Sequence, residues 1–286
     1  DGRKLAAQLK QQLKQEVLHL RGSTGDVPRI INLMVGQDPA AQSYARSQMK
    51  TADEVGVKYE LLNLPENTKQ KELLQKIDQL NRDSSVNGVI IYKPVPSQID
   101  YQLAAGSISA SKDLEGINAL NLGKMILGEA AMIPCTPAAV MEHIKSTGVL
   151  LRGKEAVVVG RSEIVGKPVS LLLLKEHATV TICHSATAKL EEQIKRADIL
   201  VAAVGKPSFI KGAWIKPGAI VVDVGINQVG DKIVGDVEFD QACQKAGYIT
   251  PVPGGVGPVT AVMLMNNAVT AYKAQWAQRE SAPIKK

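Results

Sequence analysis

Aromatic side chains are scarce in this 286-residue chain: six tyrosines, two tryptophans and two phenylalanines make up 3% of it. That is too few to stack on successive bases, and no block of lysine and arginine stands out to follow a phosphate backbone. No nucleic-acid partner is therefore expected, and the formal charge of +6 suits small anionic ligands. Cysteine is scarce as well. Cys135, Cys183 and Cys243 are odd in number and far apart. They offer no zinc or disulfide framework, which points to a reducing compartment and no metal site. Long apolar runs are missing, because Lys, Asp or Glu interrupts each candidate before it reaches bilayer length, so no membrane partner is expected. The opening DGRKLAAQLKQQLKQEVLHL has the pattern of an amphipathic helix and lacks a signal-peptide core. A cytoplasmic location is expected, or the mitochondrial matrix if a transit peptide has been removed.

What is present is ordinary globular material, 45% apolar and 22% charged, in a length sufficient for one large domain or two. Internal repeats and low-complexity tracts are lacking. RIINLMVG (29–36) is a short apolar run closed by Gly36, and PAAQSYARSQMKTADEVG then has helical character as far as Gly56. VKYELLNL follows as a strand, TKQKELLQKIDQLNRD as a helix capped by Thr68, and VNGVIIYKPVP as a strand stopped by Pro94 and Pro96. Strand and helix alternate again after a Gly- and Pro-rich break at 122–137, near whose end, at Thr136 or Pro137, a helix begins. EAVVVG, ATVTICHS, ADILVAAVG and GAIVVDVG are the strand-like runs, and a long helix, TAVMLMNNAVTAYKAQWAQRE, closes the chain. The expectation is an α/β protein of two lobes with parallel sheets and a cleft between them.

The second block begins VVVGRSEIVGKP (157–168), an apolar run, a glycine turn and a helical segment. A dinucleotide site starts in this way, because backbone N–H groups and a helix N-terminus meet there. The glycine spacing is not G-x-G-x-x-G, which leaves a purely structural turn as the alternative. Its second strand ends Cys183-His184-Ser185, with no carboxylate to bind ribose hydroxyls. Arg161 supplies a cation and Ser185 a donor where a 2′-phosphate would sit, so NADP is favoured over NAD. The plainer reading makes Arg161 a solvated turn residue and His184 a strand end. TPVPGGVGPVT (250–260) is a rigid loop of little side-chain bulk, suited to a flat ring lying close to backbone.

VGQDPAAQSY, KDLEGIN, PCTP, VVVGRSEIVGKP, VTICHS, GAIVVDVGIN, VGDVEFD and YITPVPGGVGPVTAVML occur in that order over nearly the whole chain. With these motifs the sequence closely resembles the bifunctional methylenetetrahydrofolate dehydrogenase/methenyltetrahydrofolate cyclohydrolase family. The resemblance implies an N-terminal α/β folate domain over 1–136, completed by a C-terminal helix at 260–280. It implies a Rossmann-like, doubly wound NADP domain over 137–259, a folate cleft between the two, and a homodimer formed through the nucleotide domain. Coenzyme contacts are implied at Gly160, Arg161, Ser162, Ile164, Val165, His184, Ser185, Gly205, Gly225, Ile226, Gly257 and Thr260. Folate contacts are implied at Tyr44, Glu115, Pro253, Gly254 and Gly255. Asp38, Asp113, Asp236, Cys135 and His143 are left with folding roles.

Three central positions depart from the family pattern. Tyr44 matches the tyrosine that lies against the folate ring, but four residues on, where the family has a proton-handling lysine, this chain has Gln48. The family's VQLP reads Ile91-Tyr92-Lys93-Pro94, which puts Tyr92 in place of the glutamine that bonds that lysine. The pterin-anchoring acid of KDVDG is Glu115, one methylene longer. Tyr44, Gln48, Tyr92, Lys93 and Glu115 are thus the candidate catalytic set. A glutamine amide orients water but carries no proton, whereas hydride transfer needs chiefly that two rings be held in contact. The expected activity is NADP-dependent oxidation of methylenetetrahydrofolate in one-carbon metabolism, with cyclohydrolase activity in doubt. A fully bifunctional enzyme that uses Lys93, and a silent paralogue that only binds NADP or folate, are the alternatives.

Overall fold

The computed structural model describes residues 1–129 and 132–281. The chain forms two compact units: Leu9–Ile133 with the chain from Leu264 onward, and Asp1–Gln8 with Pro134–Met263. Two long helices, α1 (Gly2–Thr24) and the C-terminal α10 (Val256–Ser281), contribute to both. No described helix is long and apolar enough to cross a membrane.

In the first unit the expected strand and helix alternation is present as β1 (Arg29–Val35), α2 (Pro39–Val55), β2 (Lys58–Leu64), α3 (Gln70–Arg82) and β3 (Gly88–Ile91), followed by short helices α4 (Tyr101–Gly106) and α5 (Ala119–Ile126). The sheet is parallel, in the order β2-β1-β3. Along β1 successive side chains point to opposite faces. Ile31, Leu33 and Val35 pack with Leu73, Ile77 and Leu80 of α3, and full burial of each such side chain contributes roughly 1.5–3 kcal/mol. Met34 faces the other way, against Ala41 and Ala45 of α2 and against Tyr92. Asn32 shares that second face and is completely buried, a polar residue in a core position.

Helix α2 is fixed at both ends. The Asp38 carboxylate accepts a hydrogen bond from the Ala41 N–H at 2.7 Å, and Gly56 closes the helix at φ 85°. Helix α3 differs from expectation: Thr68 is not its cap. Lys69 stands there with its N–H donating to Glu72 Oε2 at 2.8 Å. The Thr68 hydroxyl is already committed to the Pro65 carbonyl at 2.6 Å, inside the preceding turn. The loop that carries Glu115 is braced by Asp113, which accepts from the Gly116 and Asn118 N–H groups and from the Asn121 amide. Helix α10 adds a second brace, as the Asn267 amide donates to the Leu114 and Ile133 carbonyls, both at 2.8 Å.

The second unit starts with α6 (Cys135–Lys145) and continues through β4 (Glu155–Val159), α7 (Gly166–Lys175), β5 (Thr179–Cys183), α8 (Leu190–Lys195), β6 (Ile199–Ala202) and β7 (Ile220–Asp223). A hairpin, β8 (Asn227–Val229) with β9 (Lys232–Val234), a short α9 (Phe239–Cys243) and β10 (Tyr248–Ile249) complete it. Five strands form a parallel sheet in the order β10-β7-β6-β4-β5. The chain leaves β4 for β5 on one side and then crosses to β6 on the other, so the strand order reverses at the carboxyl end of β4.

Because Asp38 caps the helix that carries Tyr44 and Gln48, Asp38→Ala is expected to cost about 1 kcal/mol of stability in urea denaturation, with Asp38→Asn close to wild type. Equal loss in both variants would show that the cap bond contributes nothing.

Candidate active site

In the first unit a polar cluster lies between α2 and the sheet. Gln48 comes from α2, Tyr59 from β2, Asn32 from β1, and Tyr92 from the residue after β3, whose N–H still donates to the Leu33 carbonyl at 2.9 Å. Gln48 is 4% exposed. Its Oε1 accepts from the Tyr92 hydroxyl at 2.7 Å and from the Tyr59 hydroxyl at 3.0 Å. The two hydroxyls are 3.3 Å apart, and the Asn32 amide donates to Tyr59 at 2.6 Å. Burial raises both phenols above their ordinary pKa, and for Tyr92 the nearby Tyr59 adds to the effect. Both therefore keep their protons at working pH, and the cluster is neutral. Tyr44 stands at its edge, 46% exposed, with its ring meeting that of Tyr92 edge to face at 5.9 Å.

Lys93 does not join this cluster. Its ammonium lies 3.7 Å from the centroid of the Tyr101 ring, and the side chain is exposed. The Tyr101 hydroxyl in turn donates to Glu115 Oε2 at 3.2 Å. Glu115 keeps some contact with solvent while protein crowds it on most sides. Burial pushes its carboxyl up to about 7, while the Tyr101 bond and the Lys93 charge oppose the rise. The five candidate residues of this unit thus fall into two groups. Tyr44, Gln48 and Tyr92 belong to one, and Lys93 and Glu115 to the other. Tyr59, Asn32 and Tyr101 escaped the sequence reading. The available signal for the first two was a polar residue on each of two neighbouring strands, at positions facing α2.

In the second unit the candidate coenzyme residues follow successive strands at the carboxyl edge of the sheet: Gly160 to Val165 after β4, His184 and Ser185 after β5, Gly205 after β6, and Gly225 and Ile226 after β7. The loop with Pro253, Gly254 and Gly255 follows β10 and leads into α10, where Gly257 and Thr260 lie. At several of these glycines space is short, while Gly205 has open space and a φ of +64°. A Cβ on Gly160, whose φ is +132°, would lie 2.1 Å from the Ala203 carbonyl oxygen, and one on Gly166 would lie 2.2 Å from that of Gly160. Ser162 Oγ accepts from the Val165 and Gly166 N–H groups at 3.2 and 3.3 Å, capping the start of α7. Its hydroxyl proton is left as a donor, beside the exposed Arg161. His184 Nδ1 accepts from the Ala186 N–H at 3.2 Å.

Two buried aspartates shape the adjoining loops. Asp236 accepts from the Val204, Gly205 and Lys206 N–H groups and from the Asn227 amide. Asp223 accepts from those of Gly225, Asp236 and Val237. Burial pushes the Asp223 carboxyl up to about 6 against those bonds. Gly225 is pressed onto Asp236, with a Cβ there 2.3 Å from Oδ1. His143 packs beside this unit's proline–glycine loop. Burial holds its imidazole below the usual range, against a hydrogen bond with the Gly255 backbone.

A parallel sheet with glycine turns at its carboxyl edge and a reversal of strand order defines a dinucleotide-binding protein of the Rossmann class. Residues 134–276 match the profile described as tetrahydrofolate dehydrogenase/cyclohydrolase, NAD(P)-binding domain, and residues 1–115 that of the catalytic domain. The chain belongs to the tetrahydrofolate dehydrogenase/cyclohydrolase family. It is 49% identical over 274 residues to the bifunctional protein FolD of Moorella thermoacetica, a match that covers 96% of this chain and 98% of that one. The crystal structure of the bifunctional FolD of Campylobacter jejuni matches with a TM-score of 0.92 at 42% identity, over 96% and 98% of the two chains. That of Trypanosoma brucei FolD, complexed with NADP cofactor and inhibitor, gives 0.91 at 38% identity over 99% and 98%.

Removing the Asp236 acceptors leaves three loop N–H groups unpaired, so Asp236→Ala is expected to lose about 3 kcal/mol in denaturant unfolding. Weaker NADPH binding in a fluorescence titration should accompany the loss. Glu115 supplies a second test. Its carboxyl binds a proton more tightly folded, with a pKa of about 7, than at the ordinary 4.5. Its contribution to stability is therefore fully present below 4.5 and is lost as pH rises to about 7. Glu115→Gln lacks that slope, and its Tm relative to wild type should climb between pH 5 and pH 8 in scanning calorimetry. Parallel curves would refute the burial argument.

Proposed function

We propose that this protein oxidises methylenetetrahydrofolate to methenyltetrahydrofolate with NADP, in one-carbon metabolism, and that its cyclohydrolase half is absent or greatly reduced. The observation that carries the second part is the bonding of Gln48. Its carbonyl oxygen is occupied by two phenols that stay protonated, so the position where the family holds a lysine offers no group that takes up and returns a proton. Hydride transfer makes no such demand. NADP, when bound, supplies the hydride acceptor.

The residues of the second unit fit a phosphorylated coenzyme. Gly160, Gly166 and Gly225 leave no room for a Cβ because neighbouring protein atoms fill that space, which packs the turns after β4 and β7 closely at the carboxyl edge of the sheet. The Ser162 hydroxyl and the Arg161 guanidinium are donors beside the turn after β4, and Arg161 with Ser185 suits a 2′-phosphate. In the first unit Tyr44 offers an exposed ring face to a pterin, and Glu115 accepts from its N–H donors. The lobes divide in function near 136 and 259, with 260–280 completing the folate side. Pro253, Gly254 and Gly255 add a folate-facing loop, and Ile164, Ile226, Gly257 and Thr260 line the coenzyme. A homodimer through the nucleotide domain and a cytoplasmic location complete the reading, the latter in keeping with the bacterial relatives.

A second reading, a complete bifunctional enzyme, is favoured by the names of the relatives. In that case hydrolysis must run through a group other than residue 48. The placement of Lys93 over Tyr101, away from Gln48, weighs against Lys93.

Added to methylenetetrahydrofolate and NADP, the protein should form NADPH steadily while the methenyl absorbance persists, decaying no faster than in buffer alone. Rapid enzyme-dependent decay would refute the Gln48 argument. Should that decay vanish in Lys93→Met while NADPH formation continues, the bifunctional reading takes its place.

A further inference from the structure

The surroundings of Glu115 contain a unit that neither hydride transfer nor hydrolysis explains. Tyr101 opens α4 directly after Asp100, whose carboxylate accepts from the Leu103 N–H at 3.0 Å and sets the start of the helix. From that position one phenol serves two charged groups. Its hydroxyl donates to Glu115 Oε2, and its ring face carries the Lys93 ammonium. The other carboxylate oxygen, Oε1, has no donor among the described residues, and Glu115 is partly open to solvent. Glutamate has one more rotatable bond than the aspartate of the family motif, and fixing a free glutamate on a ligand costs rotamer entropy. A bond to a residue that is itself fixed by a helix start removes that freedom beforehand.

We propose that Tyr101 is a positioning residue for substrate recognition: it holds Glu115 by Oε2 and leaves Oε1 to accept from adjacent N–H donors, such as the amide and amino edge of a reduced pterin. The inference rests on the proposed folate function. Three groups face the Glu115 carboxyl: Tyr101 from α4, Lys93 from the end of β3 and Asp113 from its own loop. Only the ionised carboxylate accepts from both donors. Its pKa is about 7, the balance of burial and Asp113, which raise it, against the Tyr101 bond and the Lys93 charge, which lower it. Affinity for such a ligand therefore rises with pH through about 7, and losing Tyr101 or Lys93 moves that rise to higher pH.

The test is calorimetric binding of tetrahydrofolate between pH 6 and pH 9 to wild type, Tyr101→Phe, Lys93→Met and Glu115→Gln, with NADP affinity measured alongside as a check on folding. Tyr101→Phe keeps the ring under Lys93 and removes only the hydroxyl. It should bind roughly tenfold more weakly at pH 7, the usual loss for a hydrogen bond to a charged group, with its pH midpoint displaced upward. Lys93→Met, at an exposed position, should show the same direction of displacement and keeps the question open to test if Tyr101→Phe does not fold. Glu115→Gln should bind weakly with no pH dependence. Wild-type affinity and midpoint in Tyr101→Phe, or in Lys93→Met where it alone folds, would overturn the positioning role and leave the folate reading standing. A wild type that binds NADP but no tetrahydrofolate at any pH would overturn both.

Discussion

One amide oxygen governs the first unit. Gln48 Oε1 accepts from two phenols, Tyr92 buried just after β3 and Tyr59 half-buried on β2, and the residues around it are consistent only as a set. With lysine at position 48, the ammonium would meet two hydroxyls that now donate toward it, and both would have to turn. With the family's glutamine at 92, the Gln48 carbonyl would lose its shorter bond. Each single reversion therefore forces the remaining hydroxyls and amides to re-pair, and a polar group left unpaired at such a depth costs on the order of 1–3 kcal/mol. Departures that look independent along the chain are coupled in space. Asn32 extends the set to the centre of the sheet, bonded to Tyr59 at a position with no exposure at all.

The second unit depends on buried acceptors in a different way. Its glycine turns lack side chains with which to hold themselves, so conformation is imposed from beneath by Asp223 and Asp236. Asp236 gathers the N–H groups of Val204, Gly205 and Lys206, while Asp223 gathers those of Gly225, Asp236 and Val237. One aspartate thus holds the backbone of the other, and loops after neighbouring strands are fixed by one chain of bonds. Preorganised backbone of this kind suits a ligand recognised largely through phosphates and ring faces.

Strand and helix alternation was legible because it is written locally. The apolar run RIINLMV and the glycine stop at Gly56 each lie within a few residues of what they determine, whereas the cap at Asp38 came only with the structure. The coenzyme edge was legible for a related reason, since glycine-dense turns directly follow apolar strands. The substrate-side chemistry was only half legible. Gln48, Tyr92 and Glu115 stood out against a family pattern, but their partners did not: Tyr59 reaches Gln48 across 11 positions and Tyr92 reaches it across 44. No local period encodes such a bond. Tyr101 carried no signal in the sequence, because Lys93 and Glu115 are brought to its ring and hydroxyl only by the fold. The start of α3 was misplaced because Thr68, a good cap by residue type, spends its hydroxyl on the turn before it.

Neutrality around Gln48 also bears on the fate of the oxidised product. A methenyl product is a cation, and a protonated lysine about 4 Å from it would be opposed by roughly 4 kcal/mol at the effective dielectric of a protein surface. A neutral amide with two protonated phenols raises no such barrier. On the proposed reading the same substitution that removes the proton carrier also removes a repulsion that would hasten product departure or favour hydrolysis. On the same reading the charge on the pterin side is Glu115, whose ionisation straddles neutrality and which has the Lys93 ammonium nearby. Recognition of the pterin edge would then answer to one carboxylate, and the group proposed to set its orientation is the Tyr101 hydroxyl.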